Sequence, residues 1–139
     1  MKRYLIFAAV GPFVGGLLLL LVTTYQSGYF IETSAAEIGK LLVVFAKTLQ
    51  YSYLFGLVPA LMMGAIDDIL YHVKRIGPAL RIAIVGLAGF TAAVIYSARG
   101  PGTGLTQLVL YGMVGLVPAT LSAWLSHKYA DERKAAEKA

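Results

Sequence analysis

The chain of 139 residues is 58% hydrophobic and only 14% charged, with a mean hydropathy of +0.73, whereas a soluble domain carries about 25% charged residues. So little polar surface excludes an ordinary water-soluble fold and points to lipid as the solvent. The net charge is +5 and cysteine is absent, which excludes disulfides, thiolate metal sites and cysteine nucleophiles.

Apolar runs at 4–22, 51–66, 82–98 and 105–126 reach, with their flanks, the roughly 20 residues that cross a 30 Å hydrocarbon core. They predict an all-α fold, a four-helix transmembrane bundle in one domain covering 1–139, with helices at about 4–24, 44–70, 79–98 and 105–127. Nine of the twelve basic residues fall at Lys2 and Arg3, at Lys74, Arg75 and Arg81, and at Lys128, Arg133, Lys134 and Lys138. In a four-span chain those places share one side, so the positive-inside rule predicts both termini in the cytoplasm. The charge is thus a topology signal, not a nucleic-acid signal.

Helix one opens on Lys2-Arg3 and an apolar run, which resembles a signal peptide, but the run is long and no A-x-A pattern follows it, so the helix is expected to be retained. It carries Gly11, Pro12, Gly15 and Gly16 and then a leucine run suited to lipid. Tyr25, Tyr29 and Phe30 are placed as an outer aromatic belt. Ser34 with Glu37 fits a capping box, and from there a helical extension at about 34–47 leads into the second span. The run to Tyr71 exceeds one membrane thickness, so it must project from the membrane or tilt. Lys40, Val44, Lys47, Tyr51 and Leu54 share a stripe at helical spacing. Their lysines either snorkel to headgroups or form a basic groove.

Asp67 and Asp68 end helix two, and Ala79, Ala83, Gly86 and Ala93 give helix three a line of small residues. Residues 97–104 read as an outer turn on Gly-Pro-Gly. Helix four brings Trp124 and Tyr129 to the inner interface, and a charged tail at 128–139 follows.

One pentapeptide recurs. Gly56-Leu57-Val58-Pro59-Ala60 in helix two returns as Gly115-Leu116-Val117-Pro118-Ala119 in helix four, and Gly11-Pro12 is echoed by Gly77-Pro78. This fits two tandem hairpins related by a pseudo-two-fold axis, or convergent packing motifs. Each internal proline frees a carbonyl four residues back, at Phe55 and Val114, which must find a partner in lipid. Gly56, Ala60 and Gly64, and Gly115, Ala119 and Ala123, line up beside the prolines, as Gly11 and Gly15 do in helix one. Such spacing lets helices approach closely. The other reading of the freed carbonyls is a substrate or ion pathway near Pro59 and Pro118.

Asp67, Asp68 and His72 form the one cluster that resembles a polar site. Asp68 and His72, four apart, could share a metal or act as an acid/base pair. The competing reading is a solvated, ion-paired helix end beside Lys74 and Arg75. His72 and His127 are placed at the membrane surface, not within the bundle as a haem site requires. No nucleophile, acid and base set and no nucleotide-binding fingerprint is present. The expectation is a non-catalytic protein without metal or cofactor.

The blocks MKRYLIFAAVGPFVGG, KTLQYSYLFGLVPALMMGAIDDI and YGMVGLVPATLSAWLSHKYADE resemble a family of short bacterial inner-membrane proteins, alphaproteobacterial in origin and of unknown function. The resemblance implies a cytoplasmic-membrane location and carries over no site residues. The composition then leaves two functions: a packing or assembly subunit, a homo-oligomer or the partner of another membrane protein, or a small transporter or channel.

Overall fold

The computed structural model describes residues 2–28, 34–73, 75–99, 104–131 and 136–139. Within them the structure is helical and contains no strand. Four helices are long and apolar enough to cross a membrane: α1 Lys2–Gln26, α2 Ala35–His72, α3 Pro78–Ser97 and α4 Leu105–Ser126, the last continuing into a π-helical turn at His127–Asp131. Tyr29, Phe30, residues 100–103 of the outer turn and 132–135 of the charged tail lie outside the described residues.

Local chemistry explains the ends. Near the end of α1, Thr23 and Thr24 turn their hydroxyls onto the Leu19 and Leu20 carbonyls, so few free polar groups face outward. The chain then turns at Gly28, whose φ of 75° suits a residue without a Cβ. Ser34 is the N-cap of α2, but its side chain makes no cap hydrogen bond. The expected capping box is therefore not formed, and the Glu37 amide donates to the Ser34 carbonyl instead, at 3.0 Å. Pro78 opens α3, where its missing N–H costs nothing.

With 38 residues, α2 is about 57 Å long at 1.5 Å per residue, nearly twice a 30 Å hydrocarbon core. The helices α1, α2 and α4 run on through Pro12, Pro59 and Pro118.

Neighbouring helices are antiparallel, and their contacts give the register. On the α1–α2 seam, a Cβ added at Gly11 would stand 2.9 Å from the Ala60 Cβ, and one at Gly56 would stand 3.2 Å from Pro12. Gly64 faces Phe7 and Tyr4, and Phe13 meets Phe45 edge to face, centroids 5.5 Å apart. The α3–α4 seam is tighter: Gly89 and Gly115 bring backbone against backbone, and Gly86 abuts Thr120. Between the hairpins, Gly15 faces Pro118, and the Tyr111 hydroxyl donates to Gln26 at 3.5 Å. The spatial order is α3, α4, α1, α2, with α2 reaching back to α3 only sparingly.

Burial is uneven. Arg3, Phe7 and Pro12 of α1, Ala60, Gly64 and Asp67 of α2, and Arg81, Val85, Gly86 and Gly89 of α3 are buried. All but Gly89, just past the middle of α3, lie in the half of their helix nearest the charged end. There Phe7, Val85, Ala119 and Ala123 form the core, flanked by Met63, Ile66, Leu70 and Ile82. The bundle is thus closed at the charged end, while the first two thirds of α2 keep an exposed side.

Candidate functional site

The closed end is built around one carboxylate. Asp67 continues the inward stripe Ala60–Gly64–Asp67, spaced four and three residues, which fall on one helical face; its side chain is 0% exposed. Arg3, one turn before Phe7 on α1, reaches it with Nη1 at 3.2 Å from Oδ2 and also donates to the Asp67 carbonyl at 3.1 Å. From α3, Arg81, one turn before Val85, places Nε 3.0 Å from Oδ1. Both arginines are buried. Three helices therefore meet on one carboxylate.

Two neighbours complete the centre. The Tyr71 ring lies one turn on, with the Arg3 Cζ 4.1 Å and the Arg81 Cζ 5.4 Å from its centroid, both within cation–π range. Asp68 stands at the rim, 37% exposed and 3.8 Å from the Arg3 Nε. The two guanidiniums are thus balanced by one buried and one half-exposed carboxylate. Burying charge is costly unless it is paired with good geometry, and each of these groups is paired.

The three candidate site residues part company here. Asp67 is an interior residue and differs from the solvated helix end weighed for it, because its face of α2 turns inward with Gly64. Asp68, one residue on and rotated by about 100°, remains at the surface. His72 does not pair with the Asp68 carboxylate: its Nδ1 donates to the Asp68 carbonyl at 2.7 Å. Among the described residues no three of His, Cys, Asp and Glu gather where a metal could be held. Arg3 and Arg81 entered the sequence reading only as topology charges. The signal that could have found Asp67 is its register with Ala60 and Gly64; its partners, 64 residues before and 14 after, leave no local trace.

The packing residues divide as well. Gly11, Gly15, Gly56, Gly64, Gly115, Ala60, Pro118, Ala119 and Ala123 lie on seams within the chain or in its core. Pro59 does not: it is exposed, while Pro118 is buried. The two copies of the repeat therefore stand in different surroundings. In both helices the proline leaves the carbonyl four residues back, at Phe55 and at Val114, without its usual amide donor.

Helix α4 adds two buried hydroxyls on the same inward face as Ala119 and Ala123. Ser122 and Ser126 are 0% exposed, and neither Oγ has a hydrogen-bond partner among the described residues. Thr120 beside them is turned back onto the Leu116 carbonyl, as helical hydroxyls commonly are. A buried hydroxyl without a partner costs about 1–3 kcal/mol. Replacing Ser122 or Ser126 by alanine is therefore expected to leave thermal stability in detergent unchanged or raise it; a marked loss would mean that the hydroxyl has a partner.

The comparisons with known proteins bear on family alone. No curated protein and no solved structure matches the chain. A family model does, over residues 1–132, nearly the whole of the chain and all four helices. The chain belongs to the family of unknown function DUF5413.

Proposed function

We propose that the chain is a non-catalytic assembly subunit of the cytoplasmic membrane, with both termini inside, that offers the outer side of α2 to a second copy of itself or to another membrane protein. The observation that carries this reading is the Phe55 carbonyl. Pro59 deprives it of its usual amide donor, and it sits on an exposed stretch, Phe55 at 74% and Val58 at 62%. In hydrocarbon an unmatched carbonyl costs several kcal/mol, so a donor from a neighbouring chain would stabilise it. The glycine faces that first suggested assembly are filled within the chain, which supports α2 over them as the surface for assembly. A proline-lined pathway draws no support from the two prolines, one exposed and one buried.

Because the chain has no cysteine, single-cysteine crosslinking in membranes is free of background. Val58→Cys and Leu54→Cys are expected to give crosslinked species, and their mass separates self-association from a different partner. Leu87→Cys, on the exposed side of α3, is expected to give none. Absence of adducts at every α2 position, with a monodisperse monomer in mild detergent, would overturn the reading.

A further inference from the structure

On the outside of the α3–α4 hairpin lies an open groove of about 390 Å³, lined by Ile82, Leu116, Val117, Thr120, Leu121 and Trp124. It is apolar throughout, because its one hydroxyl, Thr120, is turned onto the Leu116 carbonyl. By the α3–α4 register, Ile82 and Trp124 mark its end toward the charged side of the bundle. There the chain widens into the π-helical turn, and Lys128 stands over the groove's own Trp124, Nζ 5.3 Å from the ring centroid, and 5.7 Å from that of Tyr129. Among the described residues no carboxylate pairs with Lys128, and the two ring faces are its described partners. An apolar slot one turn from a cation set between aromatic rings matches the two parts of a lipid: a chain that wants no water and a phosphate that wants a positive charge at the interface.

We propose that this groove is a binding site for an anionic phospholipid, one acyl chain lying along Leu116, Thr120 and Leu121 and the headgroup phosphate facing Lys128. The inference rests on the membrane reading above but not on assembly through α2, which is a different face. Lys128 supplies the preference for the anionic headgroup and the groove supplies the retention. A lysine that merely snorkels would give preference without retention. A bare groove would retain lipids of any headgroup alike.

The test is lipid retention by the full chain, purified in mild detergent and challenged with phosphatidylglycerol and phosphatidylcholine of identical chains, read by native mass spectrometry. Wild type is expected to favour phosphatidylglycerol about fivefold, the preference one basic residue gives near an anionic surface. Lys128→Gln is expected to abolish that preference while lipid is still retained, and Leu121→Trp, which fills the groove, to reduce retention of both lipids. Lys47→Gln, a cation on another helix, is expected to change nothing. The site is refuted if wild type shows no preference, if Lys128→Gln and Lys47→Gln behave alike, or if glycerol phosphate without acyl chains binds as well as the lipid. A chain that failed to partition into membranes would refute the membrane reading itself, whereas crosslinking at Val58→Cys would be untouched by failure of this site alone.

Discussion

Asp67→Asn is expected to destabilise the protein by about 3–5 kcal/mol, the cost of removing one partner from a buried ion pair. The substitution keeps the shape of the side chain and removes its charge, which leaves the buried guanidiniums of Arg3 and Arg81 without the carboxylate that both approach, at 3.2 and 3.0 Å. Asp68→Asn, at a 37% exposed rim position 3.8 Å from Arg3, is expected to cost no more than about 1 kcal/mol, as exposed pairs do. Arg81→Gln falls between, since it leaves the Arg3–Asp67 pair in place. Thermal unfolding in detergent measures all three, and a double-mutant cycle between Asp67 and Arg81 isolates their coupling. Equal losses from Asp67→Asn and Asp68→Asn would remove the distinction on which the ion centre rests.

The effect should also be local. Because α2 otherwise touches α3 sparingly, the Asp67–Arg81 pair is the main polar tie between them, and its loss is expected to loosen α2 at the charged end before the α3–α4 hairpin opens. Arg3 and Arg81 each stand within the first four positions of their helix, so under the proposed orientation the same arginines would serve the positive-inside rule and the ion centre at once.

The four spans could be read from the sequence because hydrocarbon imposes length and composition on each helix separately. What could not be read is which side of a helix meets which neighbour. Asp67 and Asp68 are adjacent and chemically identical, yet one is interior and the other at the rim, since a single residue step turns the side chain by about 100°. The pentapeptide repeat makes the same point on a larger scale. Pro118 lies buried against Gly15 while Pro59 lies exposed, because α4 sits between two helices and α2 at the margin of the layer. Identical local sequence fixed the same local helix and left the surroundings to tertiary order. The Ser34–Glu37 box illustrates the opposite limit, a local motif present in sequence whose side-chain bond the helix does without.

Gly115→Ala is expected to be the most damaging of the small-to-larger changes in the seams, and its comparison with Gly112→Ala separates folding from assembly. A Cβ at Gly115 would strike the Gly89 carbonyl and stand 2.7 Å from the Ala93 Cβ; one at Gly89 would stand 2.6 Å from the Gly115 oxygen. Backbone cannot step aside, so the two helices must separate, at a cost of about 1–3 kcal/mol for an overpacked contact, and a larger residue such as leucine is expected to open the hairpin altogether. A Cβ at Gly112 also meets its neighbour closely, but that neighbour is the outer edge of the Phe90 ring, which can swing away. The better helix propensity of alanine, worth up to about 1 kcal/mol, offsets part of that cost, so Gly112→Ala is expected to be nearly neutral. Thermal unfolding gives the order, and the monomer-to-oligomer ratio gives the meaning. If Gly115 serves the seam within the chain, stability falls while association through α2 persists in whatever protein remains folded. If Gly115→Ala instead abolishes association with stability intact, the glycine face belongs to an interface between chains, and the assignment of assembly to α2 fails.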